Sequence, residues 1–207
     1  MPWVRRMALL AIALPVVGIE AQTRPSGTGR PWVELDAGAG KEQQHCTGCA
    51  RTGRIGGLFL ALGAGVSVTQ SLGIGVVIRQ FEEGTFETDV QESRYLSVVG
   101  QYSPPILGHC LSLHVGAGEG WHYGSTSPGR FEQAPITENI AKGTALSAGL
   151  ALRVPSGSTV ALAITADVTH TVTGHTARLS GGATSFRPTL VDVGIGVSVA
   201  GKSHTND

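Results

Sequence analysis

Residues 56–81 read GGLFLALGAGVSV, then TQ, then SLGIGVVIRQF. In the first run Leu58, Leu60, Leu62, Ala64, Val66 and Val68 fall on one face, and Phe59, Ala61, Gly63, Gly65 and Ser67 on the other. A period of two held this long is the signature of a β-strand with two different environments, since successive side chains point to opposite faces. Thr69 and Gln70 then leave only a tight reversal before the next strand, so the two runs pair antiparallel.

The same reading extends outward in both directions. Strand-like segments are expected at 32–40, 56–68, 71–81, 94–102, 111–123, 144–154, 159–171 and 187–200, eight in all, with no helical stretch between them. Val160, Leu162, Ile164, Ala166 and Val168 oppose Thr159, Ala161, Ala163, Thr165, Asp167 and Thr169; Val191, Val193, Ile195, Val197 and Val199 oppose Asp192, Gly194, Gly196 and Ser198. The connections alternate in length. Those at 69–70, 103–110 and 155–158 are short, and the last two carry Pro and Gly. Those at 41–55, 82–93, 124–143 and 172–186 are long and polar. Short turns at one end and long loops at the other describe an up-and-down barrel that crosses an outer membrane, an order that a soluble β-sandwich does not require.

Composition agrees. Thirty glycines, 14% charged residues and 41% hydrophobic residues depart from a soluble domain, which averages ~7% Gly and ~25% charged residues. The formal net charge of zero offers nothing to a nucleic acid. At the N-terminus, Arg5 and Arg6 precede an uncharged apolar run over 7–19, and Ala21 precedes Gln22, the order of a secretory signal. The expected division is therefore a signal peptide at 1–21, a Pro/Gly/Ser-rich lead at 22–31, an eight-stranded all-β antiparallel transmembrane barrel at 32–200 and a polar tail at 201–207.

Glycine-rich phrases recur in register: Leu62-Gly-Ala-Gly-Val66, Val115-Gly-Ala-Gly118 and Val193-Gly-Ile-Gly-Val197. With the strand count and loop order, they make 32–200 resemble the small eight-stranded outer-membrane barrels, the OmpA transmembrane-domain and OmpX type, and the generic outer-membrane β-barrel group of Gram-negative bacteria. The resemblance implies an outer-membrane location, contact with lipid and lipopolysaccharide, and four extracellular loops that could meet a partner. One departure stands out: many such chains end on an aromatic residue, whereas this one runs on as Gly201-Lys-Ser-His-Thr-Asn-Asp207.

An eight-stranded barrel is just wide enough for its own side chains to fill it. The inward phase supplies Glu34, Asp36, Arg79, His114, Arg153, Asp167 and Asp192, the ingredients of a lumenal polar network that plugs the barrel. Glu34, Asp36 and Arg153 are expected toward the turn end, and Arg79, Asp167 and Asp192 toward the loop end. Glu119 breaks its strand's pattern by sharing the phase of Val115 and Trp121. Phe81, Tyr95, Trp121, Tyr123 and Phe186 near the loop end, with Trp32 and Tyr102 near the turn end, suggest interface girdles.

Cys46 and Cys49 fall in the first long loop, where an oxidising compartment favours a local disulfide. Metal capture with His45 is the alternative. Ala50, where a haem-attachment motif would have His, excludes that motif. Cys110, at the opposite end, reads as a free thiol. His170 or His122 with Ser147 or Ser125 would be the raw material for a lipid-acting, deacylase-like hydrolase, but no motif assembles them. No catalytic, cofactor or metal site is expected. The leading expectation is a non-enzymatic structural or surface-interaction barrel. A lipid-modifying enzyme, a narrow pore and a secreted soluble β-sandwich are the alternatives.

Overall fold

The structure, a computed structural model, describes residues 29–47, 54–83, 91–105, 110–126, 136–155, 160–176 and 185–201. The signal peptide expected at 1–21, most of the lead and most of the tail lie outside the described residues, as does Cys49.

The described residues form ten strands: β1 (Arg30–Gln43), β2 (Cys46–Thr47), β3 (Arg54–Ser67), β4 (Leu72–Glu83), β5 (Gln91–Tyr102), β6 (Leu111–Thr126), β7 (Ile136–Pro155), β8 (Val160–Thr176), β9 (Ser185–Phe186) and β10 (Thr189–Ala200). Eight close into a barrel in the order β1-β10-β8-β7-β6-β5-β4-β3, every neighbouring pair antiparallel. Closure gives every barrel strand a neighbour on both sides. The closing seam is β1 with β10, running from Trp32 opposite Ala200 to Gln43 opposite Thr189. Its turn end is fastened by Gly201 N–H donating to Pro31 O at 2.7 Å and by Arg30 Nε donating to Gly201 O. The reversal after β3 is held by Thr69, whose Oγ1 accepts from Ser71 N and Leu72 N at 3.2 and 3.0 Å.

The strands run farther than composition suggests. β7 begins at Ile136 rather than 144, and β1 reaches Gln43 rather than 40. Much of the polar sequence expected as loop therefore continues the wall above the apolar zone, since the backbone ladder does not require apolar side chains. Two irregularities bend this upper wall. Ile140 of β7 and Val172 of β8 have no opposite residue, which is the arrangement of a β-bulge. The strand expected at 187–200 starts at Thr189, after Arg187 and Pro188; the two residues before these form β9, paired with β2.

The barrel is inside out relative to a soluble protein. Among the described residues 25 large hydrophobics are exposed, Ile195 at 73% and Val115 at 66%, whereas Arg79, Asp167 and Asp192 are buried. On β10 the outward residues from Val191 to Val199 span about 26 Å of strand, or about 20 Å along the axis at a ~40° tilt, close to the ~25 Å apolar band of membrane barrels. Above this band the outward positions turn polar: Lys41, Arg54, Gln80, Arg94, Thr144 and His170.

Candidate functional site: the filled lumen

Strand parity sends the even residues of β1, β6 and β10 and the odd residues of β3, β4 and β5 inward, and these fill the lumen in layers. At the turn end the Trp32 indole lies across the bore. Gly63 and Gly75 make room for it: a Cβ at Gly63 would meet the ring at 3.1 Å and one at Gly75 at 2.5 Å. Trp32 is thus a lumenal residue and not part of a girdle. Its parity matches Glu34, which sequence position alone obscures.

Next comes Arg153 of β7, whose Nη2 lies 2.9 Å from Glu34 Oε2 on β1. Turned to satisfy its neighbours, the Gln101 carboxamide accepts from Ser112 Oγ at 2.6 Å and from both terminal nitrogens of Arg153 at 2.6 and 2.7 Å. Higher up, Arg79 of β4 spans the lumen. Its Nη2 is 3.0 Å from Asp167 on β8, its Nη1 3.4 Å from Asp192 on β10, and Nη1 also donates to Thr169 at 3.3 Å. His114 Nε2 lies 2.5 Å from the other oxygen of Asp167. Asp36 forms no ion pair with any described residue, so the seven acids, bases and His read from the sequence divide into two clusters and one unmatched carboxylate. Between the clusters lies a cavity of about 40 Å³, walled by Trp32, Asp36, Arg79, Gln101 and Thr165 among others.

Above Arg79 the lumen is apolar. Phe59, Phe81, Tyr95 and Leu190 pack together, with Ile55 and Val77 against them, and the guanidinium of Arg79 sits 5.7 Å from the Phe59 ring centre. Phe81 and Tyr95, near the strand ends and so suggestive of a girdle, therefore point inward, as their odd parity requires. The outer girdle among the described residues keeps Trp121, Tyr123 and, at the turn end, Tyr102. Lys142 lies over the Trp121 ring at 5.5 Å and Arg94 over Tyr123 at 5.2 Å. Glu119 does face outward, and it pairs with Lys142 at 3.0 Å.

The loop end carries a buried polar cluster that sequence reasoning missed. Ser93 Oγ donates to Glu42 Oε2 at 2.7 Å and lies 2.8 Å from His122 Nδ1. Tyr95 Oη donates to the same carboxylate oxygen at 3.2 Å, and His122 Nε2 is 3.4 Å from Thr171 Oγ1. The signal was available: Glu42 continues the parity of Glu34 and Asp36, and His122 that of His114. Over the cluster, the first and last long connections join. Cys46 pairs with Phe186 and Thr47 with Ser185, Arg187 N donates to His45 O at 2.8 Å, and the buried Phe186 ring meets His122 at 5.1 Å.

This arrangement bears on the chemistry. Of the residues that the hydrolase alternative would use, His170 faces outward and bonds Thr189 at 2.8 Å whereas Ser147 lines the central cavity, so these two do not meet; the side chain of Ser125 lies outside the described residues. His122 instead contacts Ser93, but Ser93 sits between the carboxylate and the imidazole and is buried, so it presents no hydroxyl to a substrate. No group of three or more His, Cys, Asp or Glu able to hold a metal occurs among the described residues. Cys110 is a free thiol.

No family model matches the chain, and no curated protein does. Solved structures do. Neisserial surface protein A (NspA) superposes with a TM-score of 0.52 at 15% identity, covering 82% of this chain and 96% of that one. Ail, the attachment invasion locus protein of Yersinia pestis, gives 0.53 at 13% identity, covering 84% and 99%. The chain is a small eight-stranded β-barrel of the outer-membrane type. A second Ail structure, in complex with the heparin analogue sucrose octasulfate, gives 0.51 at 14% identity, covering 81% and 98%. An exterior this apolar is satisfied only by a bilayer, and closed barrels of this kind are outer-membrane structures. The protein is an integral outer-membrane β-barrel.

Proposed function

We propose that this barrel does not conduct and works as a structural or surface-interaction protein, presenting the connections 41–55, 82–93, 124–143 and 172–186 outside the cell and its short turns to the periplasm. The observation that carries this reading is the filling of the bore. The Trp32 indole, the two Arg-centred clusters, the Phe59–Phe81–Leu190 packing and the Phe186 lid succeed one another along the axis, and the cavity between the two clusters has room for about three waters. Each layer ties different strands together, so the plug also fixes register. The outward girdle of Trp121, Tyr123, Arg94 and Lys142 suits the interface with lipid and lipopolysaccharide head groups. Planar-bilayer recording tests the proposal. The expected record is the baseline of the bare membrane; reproducible stepwise currents would overturn it.

A further inference from the structure

We propose that the central cavity binds one small monovalent cation, of the sodium or potassium class, beside Asp36. Charge matching comes first. Arg79 is shared by Asp167 and Asp192, Arg153 is taken by Glu34, and no described cation pairs with Asp36. Glu34, Asp36, Asp167 and Asp192 thus face two guanidiniums; even a charged His114 on Asp167 leaves one negative charge over. An unmatched charge in a water-poor interior is strongly disfavoured.

Hydrogen bonding points the same way. Glu34 Oε1 and Asp36 Oδ1 are buried without a hydrogen-bond partner among the described groups. So is Thr165 Oγ1, a hydroxyl that can accept as well as donate, while the Asp192 oxygens, equally without a hydrogen bond, face the Arg79 guanidinium. Glu34 and Asp36 thus each bring to the cavity a carboxylate with an oxygen that accepts from no described group. Thr165, only 2% exposed, lines the cavity with Glu34 and Asp36. A cation at Asp36 would draw further oxygens from these walls and complete its shell with water, for which about 40 Å³ is enough. A single surplus charge matches a monovalent ion. A calcium site, by contrast, wants six to eight oxygens with several carboxylates, and no chelating group of three occurs among the described residues.

The test compares the full chain, extracted in detergent, in sodium, potassium and N-methylglucamine chloride at equal ionic strength. Either alkali cation should raise the melting temperature by about 3 °C over N-methylglucamine, which is too large to enter. Asp36→Asn should abolish that difference, and Glu119→Gln on the outer surface should keep it. Crystals soaked in thallium(I) should show an anomalous peak in the lumen next to Asp36. This second readout on the unaltered chain stands even if Asp36→Asn does not fold. Equal melting temperatures in all three salts mean that a proton neutralises the carboxyl instead, and overturn the proposal. So do a salt effect that survives Asp36→Asn and a thallium-free lumen.

Discussion

Arg79 and Asp167 stand on β4 and β8, diametrically opposed strands of the ring, and meet at 3.0 Å in the middle of the bore. A link of this kind does what the ladder cannot: it fixes the distance between opposite walls. It also concentrates charge where water is scarce, which makes the pair costly to break and much cheaper to remove entire.

Replacing Arg79 by Met should therefore destabilise the barrel by about 3–5 kcal/mol, because Asp167 and Asp192 lose their shared counter-charge. Adding Asp167→Asn and Asp192→Asn to Arg79→Met should recover most of that loss. Equilibrium urea unfolding in lipid vesicles measures both. A triple variant as unstable as the single one would show that the guanidinium acts by packing rather than by charge.

The exterior makes a depth-dependent prediction. Ile195 lies mid-belt and is highly exposed, whereas Thr189 sits at the rim. Ile195→Arg should cost about 2–4 kcal/mol in vesicles and Thr189→Arg about 0–1 kcal/mol. Equal costs at the two positions would contradict the placement of the bilayer.

Gly63 serves the Trp32 indole and shows it through coupling. A Cβ there would lie 3.1 Å from the ring and 3.3 Å from Val77 Cγ2, so Gly63→Val should cost about 1–3 kcal/mol by overpacking. In a Trp32→Ala background most of that cost should vanish. A double-mutant cycle by urea unfolding reads the coupling directly.

At the loop end, Glu42 accepts from Ser93 and Tyr95. Glu42→Ala leaves both hydroxyls buried without that acceptor, a loss of about 1–3 kcal/mol. It should also loosen the β2–β9 lid above. Hydrogen exchange should then speed up at Arg187, whose amide bonds His45 O, while the amides of β3 and β4 stay protected. Unchanged exchange at Arg187 would separate lid from cluster.

How much of this was legible in the sequence follows from what each signal measures. Alternation over 56–68 and 191–199 reports the two environments of the wall, so strand number, phase and loop order could be read from it. Parity also placed Glu34, Arg79 and Asp192 inside. Elsewhere composition and position mask it: polar neighbours make Glu42 read as loop, and nearness to strand ends makes Trp32, Phe81 and Tyr95 read as girdle residues. In each case period two was the stronger constraint than position along the strand. What parity cannot supply is partner choice across the bore. Asp36 lies two residues from Glu34 on the same face, yet Arg153 takes Glu34 and leaves Asp36 unmatched, a result of shear between strands that one sequence does not encode locally. The lid pairing of Cys46 with Phe186 is likewise set by closure of the ring, which brings the first and last long connections side by side.

The most direct test of the central claim, a closed barrel embedded in the outer membrane, is membrane fractionation followed by gel mobility of the boiled and unboiled protein. The account expects the chain in the detergent-extracted outer-membrane fraction, with the unboiled band migrating apart from the boiled one because the closed ladder survives the detergent. A chain recovered in the soluble fraction without detergent, with one mobility before and after boiling, would contradict it.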